Sequence, residues 1–336
     1  MREPLVTIIT PTYNHEGFIG ECIQSVLGQQ LTNWEQVIVN DGSSDQTGEI
    51  ASRYAKIDDR ITYIAQENKG IWRLSETYNT ALERTKGKWI AILEGDDYWP
   101  PHALRRLVEI AESLPEDYAV VYGHSITVGN DEGRIVGKSL MPNDYQCPEH
   151  FSHQIYTPIA SIPPQASLIR RSSLEKIGGF LQPEWLPLVD RPTFLMLSIE
   201  YKFYYVDEIF AYWRQHGNNV TTLLSLHMAA GAIPWVKEFF EGLDASHQKR
   251  LKMQENESVQ IHRRIAFWSA ASYLQNVEHA DTLYKRIANV SKVVLPHVGL
   301  LRGLGLRAIM TYLRIGIDLR GPFHRIKGAK KNRAVT

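Results

Sequence analysis

The chain has 336 residues and carries 37 lysines and arginines against 37 aspartates and glutamates, so its overall charge indicates no particular partner. Two cysteines exclude a disulfide framework and favour a reducing compartment. No uncharged apolar run reaches the roughly 18–20 residues of a membrane span, and the N-terminus enters a strand pattern directly, so we expect no membrane-spanning helix and no secretory signal. The length predicts one large α/β domain and an appendage.

The predicted elements alternate between strands and helices along the first third of the chain. Apolar runs predict strands at residues 5–10, 36–40, 61–65 and 88–93. Apolar residues at helical spacing predict helices between them, at residues 18–30, 47–57 and 75–85. This alternation predicts a mostly parallel sheet with right-handed crossovers. Residues 100–230 add further strands, at 119–122, 166–169 and 202–206, and the pattern becomes helical from residue 229 onward.

Polar clusters follow three of the predicted strands. Residues 10–14 read Thr-Pro-Thr-Tyr-Asn, residues 41–45 read Asp-Gly-Ser-Ser-Asp, and residues 94–97 read Glu-Gly-Asp-Asp. Parallel sheets bind their ligands at the carboxyl ends of their strands. We therefore expect the three clusters to converge on one ligand site.

The third cluster is the strongest signal, because one strand delivers three carboxylates into four positions. Such an arrangement is electrostatically costly unless a cation is present, and Mg²⁺ and similar hard ions prefer carboxylate oxygens. A divalent ion there could bridge the protein and a diphosphate and neutralise the charge of the leaving group. The alternative interpretation is an acidic turn that caps the following helix.

The other two clusters are less specific. Asp41 follows a strand and is placed to accept hydrogen bonds from a ribose or a base, although the same residues also form ordinary turns. Tyr13 could stack on a base or pack against the protein.

The order of the motifs TPTYN, VNDGSSDQT, ENKG and GKWIAILEGDDYW resembles family 2 of the inverting glycosyltransferases, which have the GT-A fold. The segments SLIRRSSLEKIGGF and YWRQHGNNVT and the acid at Asp190 extend the resemblance over about residues 5–222. It implies a Rossmann-like α/β fold with a mostly parallel sheet and an α-helical C-terminal extension. It also implies a nucleotide-diphospho-sugar as the sugar donor and Mn²⁺ or Mg²⁺ as the cofactor.

The resemblance also implies roles for individual residues. Asp190 stands where the family has its catalytic base, which takes the proton of the acceptor hydroxyl during an inverting transfer, and a salt bridge is the alternative. The metal ion is expected to bind Asp96, Asp97 and His216. The sugar donor is expected to contact Pro11, Thr12, Tyr13, Asp41, Asn68, Arg73, Glu94, Gly95, Asp96 and Arg214. Tyr78 replaces an arginine that is frequent in the family, and Arg73 is expected to substitute for it.

We expect the domain boundary near residue 225, with a glycosyltransferase domain at 1–225 and a helical C-terminal region at 226–336. From residue 293 onward nine basic residues face one acid, a net charge of +8. A basic amphipathic helix can lie in the headgroup layer of an anionic membrane. Residues 293–336 therefore suggest peripheral attachment to the inner, cytoplasmic face of the membrane. The alternative is a helix packed on the protein with a solvated basic end.

The resulting prediction is an inverting glycosyltransferase of cell-surface polysaccharide biosynthesis, with a UDP-sugar as the expected sugar donor and a glycan or lipid-linked hydroxyl as the acceptor. We expect no nucleic-acid partner. Two other functions remain open. A nucleotidyltransferase would share the strand-end carboxylates but would normally bring a basic glycine-rich loop after the first strand, which this sequence lacks. A catalytically inactive homologue that binds a sugar or a partner is compatible with the single acid at Asp190.

Overall fold

The computed structural model describes residues 3–129, 133–137, 143, 148, 152, 155, 156, 162–251, 255–275 and 283–314. The chain divides into two compact units. The first comprises Met1–Leu223 and Leu243–Met253, and the second comprises Leu224–Gly242 and Gln254–Thr336. Residues 243–253 thus return to the first unit.

Eight strands occur within the described part of the first unit. They are β1 (Val6–Thr12), β2 (Trp34–Asn40), β3 (Ile61–Ala65), β4 (Trp89–Ile92), β5 (Tyr118–Gly129), β6 (Ile135–Val136), β7 (Ser167–Arg170) and β8 (Lys202–Gln215). Its helices are α1 (Ile19–Leu27), α2 (Thr47–Ile57), α3 (Leu74–Glu83), α4 (Ala103–Ser113), α5 (Arg171–Lys176), α6 (Asp190–Glu200), α7 (Val220–Leu223) and, after the first helix of the second unit, α9 (Ala245–Arg250). The second unit contains α8 (Ser225–Gly242), α10 (Glu255–Gln275), α11 (Leu283–Asn289), a π-helical segment (Val290–Val294) and α12 (Leu300–Arg314).

The eight strands form one sheet in the order β3-β2-β1-β4-β7-β5-β6, with β8 also paired to β5. Strands β3, β2, β1 and β4 are mutually parallel, β7 runs antiparallel to β4 and β5, and β8 runs parallel to β5. The helices α1, α2 and α3 connect the parallel strands. The predicted α/β class with a mostly parallel sheet is confirmed.

Strand β1 passes through Pro11, where the sequence predicted that it would end. Pro11 pairs with Val39 of β2, whereas the pairing of β1 with β4 covers only Val6 to Ile9. Proline lacks an N–H group and is tolerated in a strand only where no ladder hydrogen bond needs one. Because β4 is shorter than β1, the last residues of β1 extend beyond it and lie beside the loop that follows β4.

Strands β5 and β8 are longer than their apolar runs indicated. They pair in parallel from Tyr118 and Lys202 to Gly129 and Gln215, with irregular register around His124. Polar residues interrupt both strands, at His124 and Ser125 in β5 and at Asp207 and Glu208 in β8, so the first apolar run of each strand ends well before the strand does. The extension of β8 carries the chain to residue 215, which places the residues after it beside the loop that follows β4.

The core of the first unit lies between the sheet and its helices. Helix α1 buries Ile19, Cys22, Ile23 and Val26, and this apolar face belongs to a cluster that includes Ile8 of β1. Full burial of one such aliphatic side chain contributes roughly 1.5–3 kcal/mol. The packed core therefore holds the strand ends, and the loops that follow them, in fixed positions.

The second unit is helical within its described residues. Helix α12 buries Leu306, Ile309 and Met310, and a Cβ atom added at Gly305 would lie 3.2 Å from the ring of Phe267 on α10. Glycine therefore permits the close approach of these two helices. Leu300 stands on another side of α12 and is 79% exposed. Residues 315–336 of the predicted basic tail lie outside the described residues.

Among the helices that the structure describes, none combines the length and the apolarity that crossing a bilayer requires.

Candidate active site

The ends of β1, β2 and β4 converge, as the sequence predicted. The backbone N–H of Asp41 donates to the carbonyl of Thr12 at 2.9 Å, and that of Gly95 donates to the carbonyl of Pro11 at 3.1 Å. The loops after β2 and β4 therefore lie on either side of the last residues of β1. This arrangement follows from the strand order, because β1 is the strand between β2 and β4.

Hydrogen bonds join the loop after β1 to the loop after β2. Asn14 adopts the left-handed conformation with φ of 53°, and its side chain accepts from the backbone N–H of Ser44 at 2.9 Å. The backbone N–H of His15 donates to the hydroxyl of Thr47 at 2.7 Å. Asparagine tolerates this backbone region better than most residues. These contacts fix His15 at the strand end.

Asp41 is buried and its carboxylate organises the predicted nucleoside-binding region. It accepts from the backbone N–H groups of Lys69 and Gly70, at 2.9 and 3.1 Å, and from the amide of Gln66 at 2.6 Å. These bonds hold the segment that contains Asn68, whose side chain is exposed. Tyr13, 47% exposed, is accessible for stacking. The contacts of Asp41, Asn68 and Tyr13 with a sugar donor remain predictions.

The three acids after β4 form one compact cluster. The carboxylate oxygens of Glu94, Asp96 and Asp97 lie within 4.8 Å of one another. A Cβ atom at Gly95 would lie only 2.4 Å from the hydroxyl oxygen of Thr12, so glycine is required for the loop to approach β1 this closely. The predicted donor-binding positions Pro11, Thr12 and Gly95 are thus packed directly against the acidic cluster.

Two histidines and an asparagine surround Asp96. Its Oδ2 atom lies 3.2 Å from Nε2 of His216, 3.4 Å from Nδ2 of Asn219 and 3.9 Å from Nε2 of His15. Burial opposes ionisation of Asp96, but the hydrogen bond from His216 and the nearby His15 lower its pKa below the ordinary value. Burial also lowers the pKa of His15.

Asp97 and Glu94 each accept a hydrogen bond from a neutral donor. Asp97 accepts from the backbone N–H of Arg214 at 2.9 Å, and Glu94 accepts from the hydroxyl of Tyr78 at 2.8 Å. Burial, followed by the charges of Asp96 and Glu94, raises the pKa of Asp97 well above its ordinary value. Burial, Asp96 and Asp190 together raise the pKa of Glu94 to about 7, and the hydrogen bond from Tyr78 opposes this shift.

The cluster has the composition of a divalent-cation site. Two of its three carboxyl groups resist ionisation in the absence of a counter-ion, because they are buried next to like charges. A bound cation would remove that cost, and clustered carboxylate oxygens are the ligands that Mg²⁺ and similar ions prefer. The oxygens of Glu94, Asp96 and Asp97 are close enough together to share one ion. The residues present therefore fit the cofactor that the sequence predicted.

Asp190 is the first residue of α6 and is half-buried near the acidic cluster. Burial raises the pKa of its carboxyl group, and its charge contributes to the raised pKa of Glu94 and of Tyr78. The turn before α6 is fixed by Asn79, which donates to the carbonyl of Phe180 at 3.0 Å and accepts from its N–H at 2.9 Å. The role of Asp190 as the base remains a prediction.

The two predicted arginines lie in different environments. Arg214 donates to Glu21 at 2.6 Å, and its guanidinium lies 4.9 Å from the ring of Phe18. It is therefore held beside the acidic cluster. Arg73 is exposed and forms a two-point ion pair with Glu76, at 2.6 and 2.9 Å. The structure does not place Arg73 at the cluster, so its contact with a sugar donor remains a prediction.

Several residues of the site were not predicted from the sequence. They are His15, Phe18, Glu21 and Asn219. His15 offered the clearest signal, because it follows the end of β1 by three residues. Tyr78 was noted only as a replacement for an arginine, and its bond to Glu94 required the three-dimensional structure.

Comparisons with known proteins agree with this architecture. The sequence model of glycosyl transferase family 2 matches residues 7–178, about half of the chain. The putative teichuronic acid biosynthesis glycosyltransferase TuaG of Bacillus subtilis (strain 168) is 41% identical over 108 residues, which are 32% of this chain and 42% of TuaG. The matched part of the chain covers less than half of the length of TuaG and of two other curated glycosyltransferases.

Two solved structures share the fold at low sequence identity. Staphylococcus aureus TarS 1–349 in complex with UDP-GlcNAc has a TM-score of 0.57 and 16% identity, and the match covers 94% of this chain and 93% of that one. The mannosyltransferase PcManGT from Pyrobaculum calidifontis in complex with GDP-Man and Mn²⁺ has a TM-score of 0.56 and 18% identity, over 94% and 87% of the two chains. These matches confirm the predicted GT-A fold. The match of the family model over residues 7–178 shows that the chain belongs to glycosyl transferase family 2.

Proposed function

We propose that the protein is an inverting glycosyltransferase that moves a sugar from a nucleotide-diphospho-sugar, with UDP-sugar as the first candidate, to a hydroxyl of a glycan or lipid-linked acceptor in cell-surface polysaccharide biosynthesis. The observation that carries this proposal is the position of the acidic cluster. Glu94, Asp96 and Asp97 lie at the carboxyl end of β4, next to the strand ends of β1 and β2. Nucleotides bind at this edge of open α/β sheets.

The cation site and the sugar donor are linked by charge. A divalent ion on the cluster would supply electrostatic stabilisation of the diphosphate that leaves. Arg214 donates its backbone N–H to Asp97, and its guanidinium, which pairs with Glu21, would add positive charge for the same group. Relatives with this fold have been solved with UDP-GlcNAc and with GDP-Man and Mn²⁺, which supports a nucleotide-sugar as the substrate.

Asp190 is our candidate for the catalytic base. A general base works best when its pKa lies near the operating pH, and burial raises the pKa of Asp190 in that direction. One carboxylate suffices for an inverting transfer, because the acceptor hydroxyl attacks the anomeric carbon directly. The base takes the hydroxyl proton while the bond to the diphosphate breaks.

The first experiment is a screen of nucleotide-sugars with the full chain, in which release of the nucleoside diphosphate is measured with Mn²⁺, with Mg²⁺ and with EDTA. We expect metal-dependent release from one class of nucleotide-sugar. Release of pyrophosphate instead would indicate a nucleotidyltransferase. Binding without any turnover, also in the presence of lipid and glycan acceptors, would indicate an inactive homologue, and either result rejects the proposal.

Substitutions then test the assigned residues. Asp96→Asn should abolish metal-stimulated turnover, whereas Asp59→Asn, at an exposed position before β3, should leave it unchanged. Asp190→Asn should retain binding of the sugar donor and lose at least about 100-fold in transfer rate, the low end of general-base catalysis. Full transfer by Asp190→Asn would reject the assigned base. NMR of the product should show an inverted anomeric configuration, and retention would contradict the mechanism.

We also propose that the C-terminal region contacts the cytoplasmic face of the membrane. Leu300 and Leu304 are exposed on α12, and the chain after residue 314 carries six basic residues and one acid. Exposed apolar side chains and basic charge together bind anionic bilayers. Truncation after residue 299 should abolish sedimentation with phosphatidylglycerol vesicles, and unchanged sedimentation would reject this attachment.

A further inference from the structure

Two exposed tryptophans lie on segments that adjoin the candidate active site. Three of the eight tryptophans are exposed, Trp72 by 44%, Trp185 by 45% and Trp268 by 52%. Trp268 belongs to the second unit, whereas the other two belong to the first. A large aromatic side chain gains stability from burial, and exposed apolar side chains that lie together often mark a binding surface. The relative position of Trp72 and Trp185 therefore decides whether they serve one.

Each of these two tryptophans is presented by a tight turn. Trp72 is the third residue of turn 70–73, in which the last N–H donates to the first carbonyl at 3.0 Å. Trp185 is the third residue of turn 183–186, which is closed in the same way at 3.2 Å. Such a hydrogen bond fixes the backbone of a four-residue turn. The fully buried Leu186 also anchors the second turn, so each tryptophan is attached to a fixed backbone.

The side chain of Gln182 joins the two turns. Its Nε2 atom donates to the carbonyl of Ile71 at 2.7 Å and to the carbonyl of Leu186 at 3.4 Å. The first of these carbonyls directly precedes one tryptophan, and the second belongs to the residue that directly follows the other. The Oε1 atom of Gln182 accepts from the N–H of Ser75 at 2.9 Å. Because both carbonyl oxygens contact the same nitrogen, the two turns are neighbours in space.

The loop that carries Trp185 leads directly to Asp190. The hydroxyl of Thr193 donates to the carbonyl of Val189 at 2.6 Å and accepts from the N–H of Leu181 at 3.0 Å, so it joins both ends of the loop at residues 181–189. Asp190 follows this loop and is our candidate for the base. The accepting hydroxyl must come within hydrogen-bond distance of the base. Trp185 therefore lies on the side of the site where the acceptor binds.

Trp72 adjoins the same acid through α3. This helix begins two residues after Trp72, and its Tyr78 donates to Glu94 at 2.8 Å. Burial, followed by the charges of Glu94 and Asp190, raises the pKa of Tyr78 well above its ordinary value. Trp72 precedes Tyr78 by six residues, which span about 9 Å at a helical rise of about 1.5 Å per residue. The two tryptophans thus lie beside the acids and not among them.

The surroundings of the pair suit a sugar ring. A pyranose has an apolar face of C–H groups and a rim of hydroxyls. An exposed indole offers a flat apolar surface and an N–H donor, and binding sites combine such surfaces with a few polar groups. Polar groups flank Trp72, since Lys69 and Arg73 both pair with Glu76, at 3.4 and 2.6 Å. Sugar hydroxyls can form hydrogen bonds with these charged groups, whereas a lipid chain cannot.

We propose that Trp72 and Trp185 form an acceptor subsite that stacks on a sugar ring, and that Gln182 is a positioning residue that holds the two tryptophans side by side. This inference rests on the proposed glycosyltransferase function and narrows its acceptor to a molecule that already carries a sugar. The subsite lies beside the acids, so the ring that it binds is next to the part of the acceptor that reacts.

The test measures binding to the full chain labelled with 5-fluorotryptophan. The probes are chitotetraose, cellotetraose, maltotetraose and farnesyl phosphate, and ¹⁹F NMR resonances are assigned by substitution. At least one tetrasaccharide should shift the resonances of Trp72 and Trp185 and leave that of Trp268 in place. Trp72→Ala and Trp185→Ala should each raise the Kd for this tetrasaccharide at least about tenfold, whereas Trp72→Phe and Trp185→Phe should raise it less than about threefold.

Gln182→Ala keeps both rings and tests their positioning. It should shift both resonances in the protein without ligand and raise the Kd for the tetrasaccharide about fivefold, while the melting temperature and the affinity for UDP or GDP stay at wild-type values. A merely structural role would lower the melting temperature without moving the two resonances selectively. Trp268→Ala is the matched control, since it removes an equally exposed tryptophan from the second unit and should not change the Kd.

Four outcomes would overturn the subsite. They are the failure of every tetrasaccharide to bind, equal binding to the wild type and both alanine variants, a larger loss of affinity for UDP or GDP than for the tetrasaccharide, and a dependence on the two tryptophans that is seen with farnesyl phosphate alone. None of these bears on the transfer reaction itself. The proposed function is tested separately by the release of nucleoside diphosphate in the screen of nucleotide-sugars.

Discussion

Replacement of Glu94 by glutamine tests whether the acidic cluster destabilises the metal-free protein. The pKa of Glu94 is raised to about 7 from an ordinary value of 4.5. Folding therefore favours the protonated carboxyl group, and the folded state loses stability as the pH rises from about 4.5 to about 7. A shift of this size corresponds to about 3 kcal/mol at pH 8, of which about 2–3 kcal/mol develops between pH 5 and pH 8.

Glutamine removes this pH-dependent loss while it keeps the local contacts. It has the same shape as glutamate, and its amide oxygen can still accept the hydrogen bond from Tyr78. Relative to the wild type, Glu94→Gln should therefore gain about 2–3 kcal/mol in its free energy of unfolding between pH 5 and pH 8 in the presence of EDTA. The variant should at the same time lose affinity for Mn²⁺, because a neutral amide replaces a charged ligand.

The assay is urea unfolding of the wild type and the variant at several pH values, with equal m-values as the condition for comparison. Glu83→Gln, at an exposed position of α3, is the control and should follow the wild type at every pH. Saturating Mn²⁺ at pH 8 should stabilise the wild type more than Glu94→Gln. Parallel stability curves of Glu94→Gln and the wild type between pH 5 and pH 8 would refute the reasoning.

Three further substitutions probe the support of the cluster. Tyr78→Phe removes the hydroxyl that donates to Glu94, so the pH midpoint of Mn²⁺ binding should rise by about one unit, and an unchanged midpoint would contradict this. Gly95→Ala should cost about 1–3 kcal/mol in urea unfolding, since its Cβ atom would lie 2.4 Å from the Thr12 hydroxyl oxygen, and wild-type stability would show that the loop can move. Asn79→Ala removes two hydrogen bonds to the backbone of Phe180, before α6, and should lower the free energy of unfolding by about 2 kcal/mol. Asn79→Asp keeps the accepting oxygen, so an equal loss of stability in that variant would contradict a role for this oxygen.

The fold was predictable where local signals were strong. The helix at residues 47–57 and the strand at 61–65 occur with the predicted bounds, because apolar periodicity and flanking turn residues agree there. The acidic cluster was also predictable, since its three acids lie within four consecutive positions after an apolar strand. In both cases the relevant physics is contained in a short segment.

The parts that escaped prediction depend on contacts between distant segments. Polar residues interrupt β5 and β8 near their middle, and the strands continue beyond them because they pair with each other. Residues 243–253 join the first unit although no local pattern indicates it. The contact of His15 with Asp96 joins positions 81 residues apart, and the bond from the Arg214 N–H to Asp97 joins positions 117 apart. Neither the hydrophobic periodicity nor the spacing of residues along the chain encodes such pairs.

The acidic cluster is supported by three segments of the chain, which are the loop after β1, β8 with the turn after it, and α3. Imidazole rings from the loop after β1 and the turn after β8 contact Asp96, a backbone N–H of β8 contacts Asp97, and a hydroxyl of α3 contacts Glu94. The backbone N–H and the hydroxyl carry no charge, so they orient Asp97 and Glu94 without neutralising them. The remaining negative charge is what a cation would bind. Orientation by the protein and neutralisation by the ion are therefore separate contributions to the site. A substitution in any one of the three segments should alter the affinity for the metal ion even when the three carboxylates are intact.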